Sequence, residues 1–349
     1  MTVQRLAVPL AIAIALLTVA CGGSAGTGQG SGPTTVHVGI LGSVSDAGVI
    51  IAQAKGYFKE QGINAQFQRF QSGANMTPAV GRGQLDVAAG APSAGLFNAM
   101  ARDIKVRLVA DKGYEPPGNG YDQYLVRKDL WDSGQVRGPA DLKGRTISLA
   151  SRGIPPEHLL DMYLRTGGLT VKDVKITPLS FPDAATALGN HSVDAADLIA
   201  PFPTVAQAKG AGVPLISTDR VSPNHQLGVV MYSEDFAKKT DLARRFMLAY
   251  LKGARDHDNA FIKKTASPQE RAQLVQILAK NTSVTDTTLY DKMVMPVIDP
   301  NGTLHRESLK SDQDYFLQAG EQKNRVDLDA NIDTSFVDSA VQKLGKYTS

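Results

Sequence analysis

Serines, glycines and prolines cluster at five places in this chain: 42–46 (GSVSD), 71–74 (QSGA), 90–93 (GAPS), 151–155 (SRGIP) and 200–204 (APFPT). At the start of a helix such residues leave backbone N–H groups unpaired and set small hydroxyls beside them, which suits an anionic group. Arg152 would add a bidentate guanidinium. Ser43, Ser45 and Ser93 either cap their own helices or touch a ligand, and Arg152 either meets that ligand or pairs with a carboxylate. Asp46 would repel an anion, so it either turns away or faces a donor group on the ligand. Tyr114, Tyr121 and Phe202 either wall a flat ligand or pack at a hinge.

Catalytic arrangements are harder to find. Glu157, His158 and Asp161 share a helical face, but the first two stand in the turn after Pro155-Pro156, where an acid favours the helix dipole anyway. Asp256-His257-Asp258 reads as the solvated face of a long helix. No Ser-His-Asp order, HExxH, Walker loop or GxGxxG-plus-acid pattern occurs, so no catalytic residue, metal or cofactor is expected. The lone cysteine, Cys21, excludes an intrachain disulfide and any cysteine-built zinc or iron–sulfur centre. A net charge of +3 without a basic block argues against nucleic acid as a partner.

The elements that must position these turns alternate. Strands are expected at 36–41, 63–70, 85–90 and 105–111, with helices at 46–61, near 74–82 and from Pro92-Ser93, followed by a Gly/Pro/Tyr loop at 112–121. A second series has strands at 145–150, 174–179, 193–199 and 213–217 and helices at 155–166, 182–189 and from Pro201. Such alternation indicates α/β units with mainly parallel pairing, and ligands of such sheets bind beyond the carboxyl ends of the strands. The two series also match in spacing. Gly42-Ser43 and Ser151-Arg152 are offset by 109 residues, as are Ala91-Pro92 and Ala200-Pro201. Two similarly built lobes facing one another across a cleft are therefore expected. After 225–233 the pattern turns to helices alone.

The first residues differ from the rest. Residues 6–17 are uninterrupted apolar and follow Arg5, matching the ~7–15-residue apolar region of an export signal and falling short of the ~20 residues a membrane span needs. Ala20-Cys21 resembles a bacterial lipobox, whose cysteine carries the lipid; the alternative is an ordinary signal that leaves a free thiol. Residues 22–33 (GGSAGTGQGSGP) read as a flexible linker, so 1–20 is expected as signal peptide and 21–33 as lipidated cysteine and tether.

Segments 56–94 (GYFKEQGINAQFQRFQSGANMTPAVGRGQLDVAAGAPSA), 141–149 (DLKGRTISL) and 168–179 (GLTVKDVKITPL) resemble substrate-binding lipoproteins of ABC importers of the nitrate, sulfonate and taurine type, a group that includes binders of thiamine-pyrimidine precursors. The resemblance runs from about 36 to 260. It implies a two-lobed α/β fold of the type II periplasmic-binding-protein kind, each lobe a mainly parallel sheet flanked by helices. Two hinge crossings are expected near 122–127 and 228–232, giving lobe 1 as 34–126 plus 228–349 and lobe 2 as 127–227. Carried over by position, the ligand turns are Ser43, Val44, Ser45 and Asp46; Ser72 and Gly73; Gly90, Ala91, Pro92 and Ser93; Ser151, Arg152 and Gly153; and Pro201 with Phe202. The implied function is extracytoplasmic capture of a small organic anion, a sulfonate or carboxylate, for delivery to an ABC permease and its ATPase. Arg152 stands where the family has a plainer Gly/Ser turn and favours a carboxylate. A pyrimidine or other small aromatic nutrient is the alternative ligand, and an enzyme of cofactor biosynthesis is the alternative of another class. A monomer, tied to the membrane through its N-terminal lipid only, is expected.

Overall fold

Among the described residues, ten strands form two sheets. The first contains β1 (Thr34–Ile40), β2 (Ile63–Arg69), β3 (Val87–Gly90), β4 (Val106–Glu115) and β10 (His225–Ser233); the second contains β5 (Asp122–Arg127), β6 (Thr146–Leu149), β7 (Lys175–Pro178), β8 (Ala195–Ile199) and β9 (Gly212–Ser217). The computed structural model describes residues 32–348, so the expected signal peptide, Cys21 and most of the tether lie outside the described residues.

The sheets share one plan. Their orders are β2-β1-β3-β10-β4 and β7-β6-β8-β5-β9, and in each the fourth strand alone runs antiparallel to its neighbours. That fourth strand is the one the chain enters on arriving from the other lobe. Val36, Val38 and Ile40 of β1 are buried, as are all four residues of β3 and all nine of β10. Central strands covered on both faces need such near-continuous apolar runs. The expectation of two mainly parallel α/β lobes holds.

The crossings, however, come earlier than expected. β5 bonds within the second sheet from its first residue (Asp122 opposite Ile199), and β10 within the first from His225 (opposite Glu115). The helix Thr218–Val221 still packs on the second lobe, so the connecting segments are 116–121 and 222–224. Apolar letters marked these strands, but the sheet each joins depends on a partner far away in sequence.

Three further expectations change. The helix expected over 46–61 is broken into Ala47–Ala54 and Tyr57–Glu60, because Gly56 takes a left-handed conformation (φ +79°). The expected loop at 112–121 begins as strand, since β4 pairs with β10 as far as Glu115. Asp256-His257-Asp258 is no solvated face: His257 and Asp258 are buried where helix Thr240–His257 runs on into a wider turn, and Asp258 accepts from the Tyr347 hydroxyl at 2.9 Å. Burial pushes the His257 imidazole down to about 3, so it is neutral.

Helix Thr240–His257 lies along Ala47–Ala54 on the first lobe. Helix Arg306–Gln318 packs against β10 and against Pro155–Arg165 of the second lobe, spanning the boundary. Among the described residues, no helix is long and apolar enough to cross a membrane.

Candidate functional site

Strand ends of both sheets meet at a narrow cavity of about 40 Å³, lined by Leu41, Ser45, Ser72, Gly73, Ala91, Lys112, Tyr121, Asp122, Ala150, Ile154, Pro156, Phe181, Ile199, Leu227 and Gly228. Ser45, Ser72, Gly73 and Ala91 come from the first three turns and Ile154 from the fourth, while Leu41 and Ala150 precede the first and fourth turns. The walls are mostly aliphatic and aromatic, with a few polar groups among them, which is the composition of a small-molecule site.

The first turn is built around a carboxylate. Asp46 Oδ2 accepts the N–H groups of Leu41 (3.0 Å), Gly42 (2.7 Å) and Ser43 (3.1 Å), so the donors that an anion could have used are filled from within. Asp46 Oδ1 lies 2.9 Å from Lys112 Nζ, and both side chains are buried. Lys112 also donates to Ser45 Oγ at 2.8 Å, and Ser45 is 2.8 Å from Ser43 Oγ. Asp46 has thus turned away from the cavity, and Lys112 is the cation beside it. Its position in β4 brings it there, which the loop reading of 112–121 concealed.

At the second turn Ser72 caps helix Gly73–Gly81 through Asn75 N–H, and Gly73 touches the third turn. A Cβ on Gly73 would lie 2.3 Å from the Ala91 carbonyl oxygen, so only glycine lets the two backbones meet. Gly90 also meets Gly73, neither Gly90 nor Pro92 lines the cavity, and Ser93 caps helix Ala94–Met100 through Leu96 N–H. Val44 is core.

The fourth turn forms a junction between lobes. Arg152 Nη2 lies 2.6 Å from Glu157 Oε1 and 3.1 Å from Glu321 Oε1, so its guanidinium is held by protein carboxylates. Gly153 N–H donates to Glu157 Oε2 at 2.7 Å, and the Gly153 carbonyl accepts from Ala94 N–H of the other lobe at 2.9 Å. Gln71 Nε2 reaches the Ala150 carbonyl at 3.2 Å, and Ser151 Oγ donates to the carbonyl of its neighbour Arg152. Burial raises Glu157 to about 7 despite the Gly153 and Arg152 contacts. Pro201 and Phe202 open the fifth turn outside the cavity; Phe202 stacks behind Phe181, with ring centroids 6.0 Å apart, and Phe181 forms the wall. Tyr121 lines the cavity, whereas Tyr114 packs on the His305 ring, tilted by 30° with centroids 4.2 Å apart, away from it.

Asp122 was not singled out by its sequence context. It lines the cavity, fully buried, beside Asp197, and among the described residues neither carboxylate has another side chain or backbone group to bond. Burial, then repulsion between the two, raises Asp122 well above the carboxylate range, and burial raises Asp197 to about 7. Two carboxyls buried side by side both favour the protonated form. Nearby, Glu115 is also raised, by burial and then by Asp122, and it receives the Thr218 hydroxyl and Asp122 N–H.

His158 is likewise more than a first-turn residue. Its Nδ1 is 2.8 Å from Asp312 Oδ1, which His225 Nε2 approaches at 3.0 Å. Burial alone would raise Asp312, but the two imidazoles hold it below its usual value. Asp161 instead pairs with Arg165 and caps Val171 N–H.

A family model described as NMT1/THI5 like matches residues 44–259. A Bacillus subtilis (strain 168) protein, named as a candidate aliphatic sulfonates-binding protein, is 24% identical over 95% of this chain and 96% of its own. Among solved structures, the alkanesulfonate-binding protein SsuA from Xanthomonas axonopodis pv. citri, bound to MOPS, superposes with a TM-score of 0.69 at 19% identity (87% of this chain, 99% of that one). The periplasmic nitrate-binding protein NrtA from Synechocystis PCC 6803 gives 0.73 at 13% (90% and 89%). The desulfurization enzyme DszB has the same fold, at 0.60 and 18% (89% and 99%). The two five-stranded sheets are thus those of a type II periplasmic-binding-protein fold.

Proposed function

The chain belongs to the NMT1/THI5-like family, and from that membership we propose that it is the solute-binding component of an ABC importer, closing its lobes on a small organic anion and presenting it to a permease and ATPase. One observation carries the reading: the cavity is walled by turns of both sheets, so a solute held there is released only when the lobes part. Ser45, Lys112 and the N-terminal end of helix Gly73–Gly81 supply the groups that favour a sulfonate or carboxylate. Binding without conversion is supported by Lys112, which gives its protons to Asp46 and Ser45 and so offers Ser45 a donor instead of a base.

A thermal-shift screen across alkanesulfonates, taurine, nitrate, aromatic carboxylates and pyrimidines tests this. A well-folded sample that none of them stabilises would sink it. A second reading, a pyrimidine or related heteroaromatic nutrient, is favoured by Asp122, which lines the cavity with Asp197 as its neighbouring carboxyl and suits ring N–H or amino donors. The same screen separates the two. Export, anchoring through Cys21 and a monomeric state complete the proposal; Cys21→Ala is expected to release the protein from the membrane fraction with its ligand affinity unchanged.

A further inference from the structure

We propose that His158, His225 and Asp312 form a site for a divalent transition-metal ion of the zinc type, built across the boundary between the lobes. The three residues come from separate elements: His158 from helix Pro155–Arg165 of the second lobe, His225 from the first position of β10, and Asp312 from helix Arg306–Gln318. One ligand atom from each converges, His158 Nδ1 at 2.8 Å and His225 Nε2 at 3.0 Å from Asp312 Oδ1, with all three inside 4.8 Å of one another.

The surroundings suit an ion. All three residues are buried, Asp312 completely, and both imidazoles crowd the same carboxylate oxygen while Oδ2 has no partner. The other nitrogen of the His225 ring, Nδ1, lies 3.1 Å from Ser222 Oγ. A proton on Nδ1 donated to that hydroxyl leaves the Nε2 lone pair aimed at the centre, which is the second-shell arrangement a metal-bound histidine uses. The His158 ring is held in place by stacking on Tyr315, centroids 4.8 Å apart and planes 14° from parallel.

Size and chemistry agree. Tetrahedral zinc, with bonds of ~2.0–2.2 Å, sets its ligand atoms ~3.3 Å apart. Moving each imidazole back from Asp312 Oδ1 by a few tenths of an ångström, from 2.8 and 3.0 Å, reaches that spacing to the carboxylate. Two imidazoles and one carboxylate select zinc-like ions over calcium or magnesium, and three protein ligands leave a fourth position for water.

The location gives such an ion a task. Parting the lobes would carry His158 away from His225 and Asp312, which opens an entry path and makes a bound ion a clamp on the closed form. Pro156 and Leu227, close in sequence to the two histidines, line the cavity itself.

The test uses untagged, chelator-treated protein titrated with Co²⁺ alone. One equivalent should bind with the intense visible bands of a low-coordinate site, and Zn²⁺ should displace it. His158→Gln and His225→Gln should each weaken Co²⁺ binding at least tenfold while circular dichroism reports an intact fold. If either variant fails to fold, Asp312→Asn is read in its place, with the same expected loss. Absence of stoichiometric binding to folded wild-type protein, or binding unchanged in the variants, would overturn the site and leave the three residues as a plain hydrogen-bonded ion pair.

Discussion

The first and fourth turns solve the same local problem with opposite consequences. In each, a carboxylate on the opening helical turn accepts the N–H of a glycine four residues earlier, Asp46 from Gly42 and Glu157 from Gly153, and a basic side chain neutralises it. Lys112, 3% exposed, does this in the interior beside the cavity, whereas Arg152, 49% exposed, does it at the surface and reaches Glu321 as well. One copy of the motif has become part of the cavity wall and the other a fastening between lobes. The spacing of charges in a repeat therefore says little about which copy touches a ligand; burial and the far partner decide.

That contrast can be broken by substitution. Lys112→Met strands Asp46 as a buried charge, and loss of one partner from a buried pair costs about 3–5 kcal/mol. Urea unfolding should show a loss of that order, largely restored by adding Asp46→Asn; a change under about 1 kcal/mol would mean the pair is dispensable. Arg152→Gln should cost less, about 1–2 kcal/mol, because Arg152 is half exposed and the buried Glu157 can take up a proton in its place. Its clearer effect should be on closure, read as a larger average radius in solution scattering. If it proves as destabilising as Lys112→Met, the two turns are not different in kind.

The smallest expected effect is a pH slope. Glu157 titrates near 4.5 when unfolded and about 7 when folded, so the fold binds its proton more tightly. Its contribution to stability is complete below about pH 4.5 and is lost as pH rises through about 7. Glu157→Gln should flatten the decline in melting temperature over that window; an unchanged slope would show that other groups cause it.

Much of this architecture was legible before any coordinates. Period and punctuation located nearly every strand to within a residue or two, and the 109-residue offset announced two lobes of one design. The Gly/Ser turns were legible too, because small residues at strand ends have few other uses. Gly56 was harder: it stands within an otherwise helical run, and the left-handed conformation that breaks the helix is not written in its neighbours.

The residues that give the cavity its charge were not legible. Lys112 sat in a stretch rich in Gly, Pro and Tyr, and Asp122 at the edge of an apolar run; only pairing of β4 with β10 and of β5 with β8 sends them to the interior. Arg152 looked like a ligand group because only the fold turns it onto Glu157, and its second partner, Glu321, is 169 residues away. By itself the sequence determined the elements, their alternation and the turns, because these depend on side-chain periodicity and local backbone preference. Tertiary structure alone decided which charges are buried and which are paired, because desolvation and Coulomb energy depend on neighbours that the folded chain brings together from distant positions.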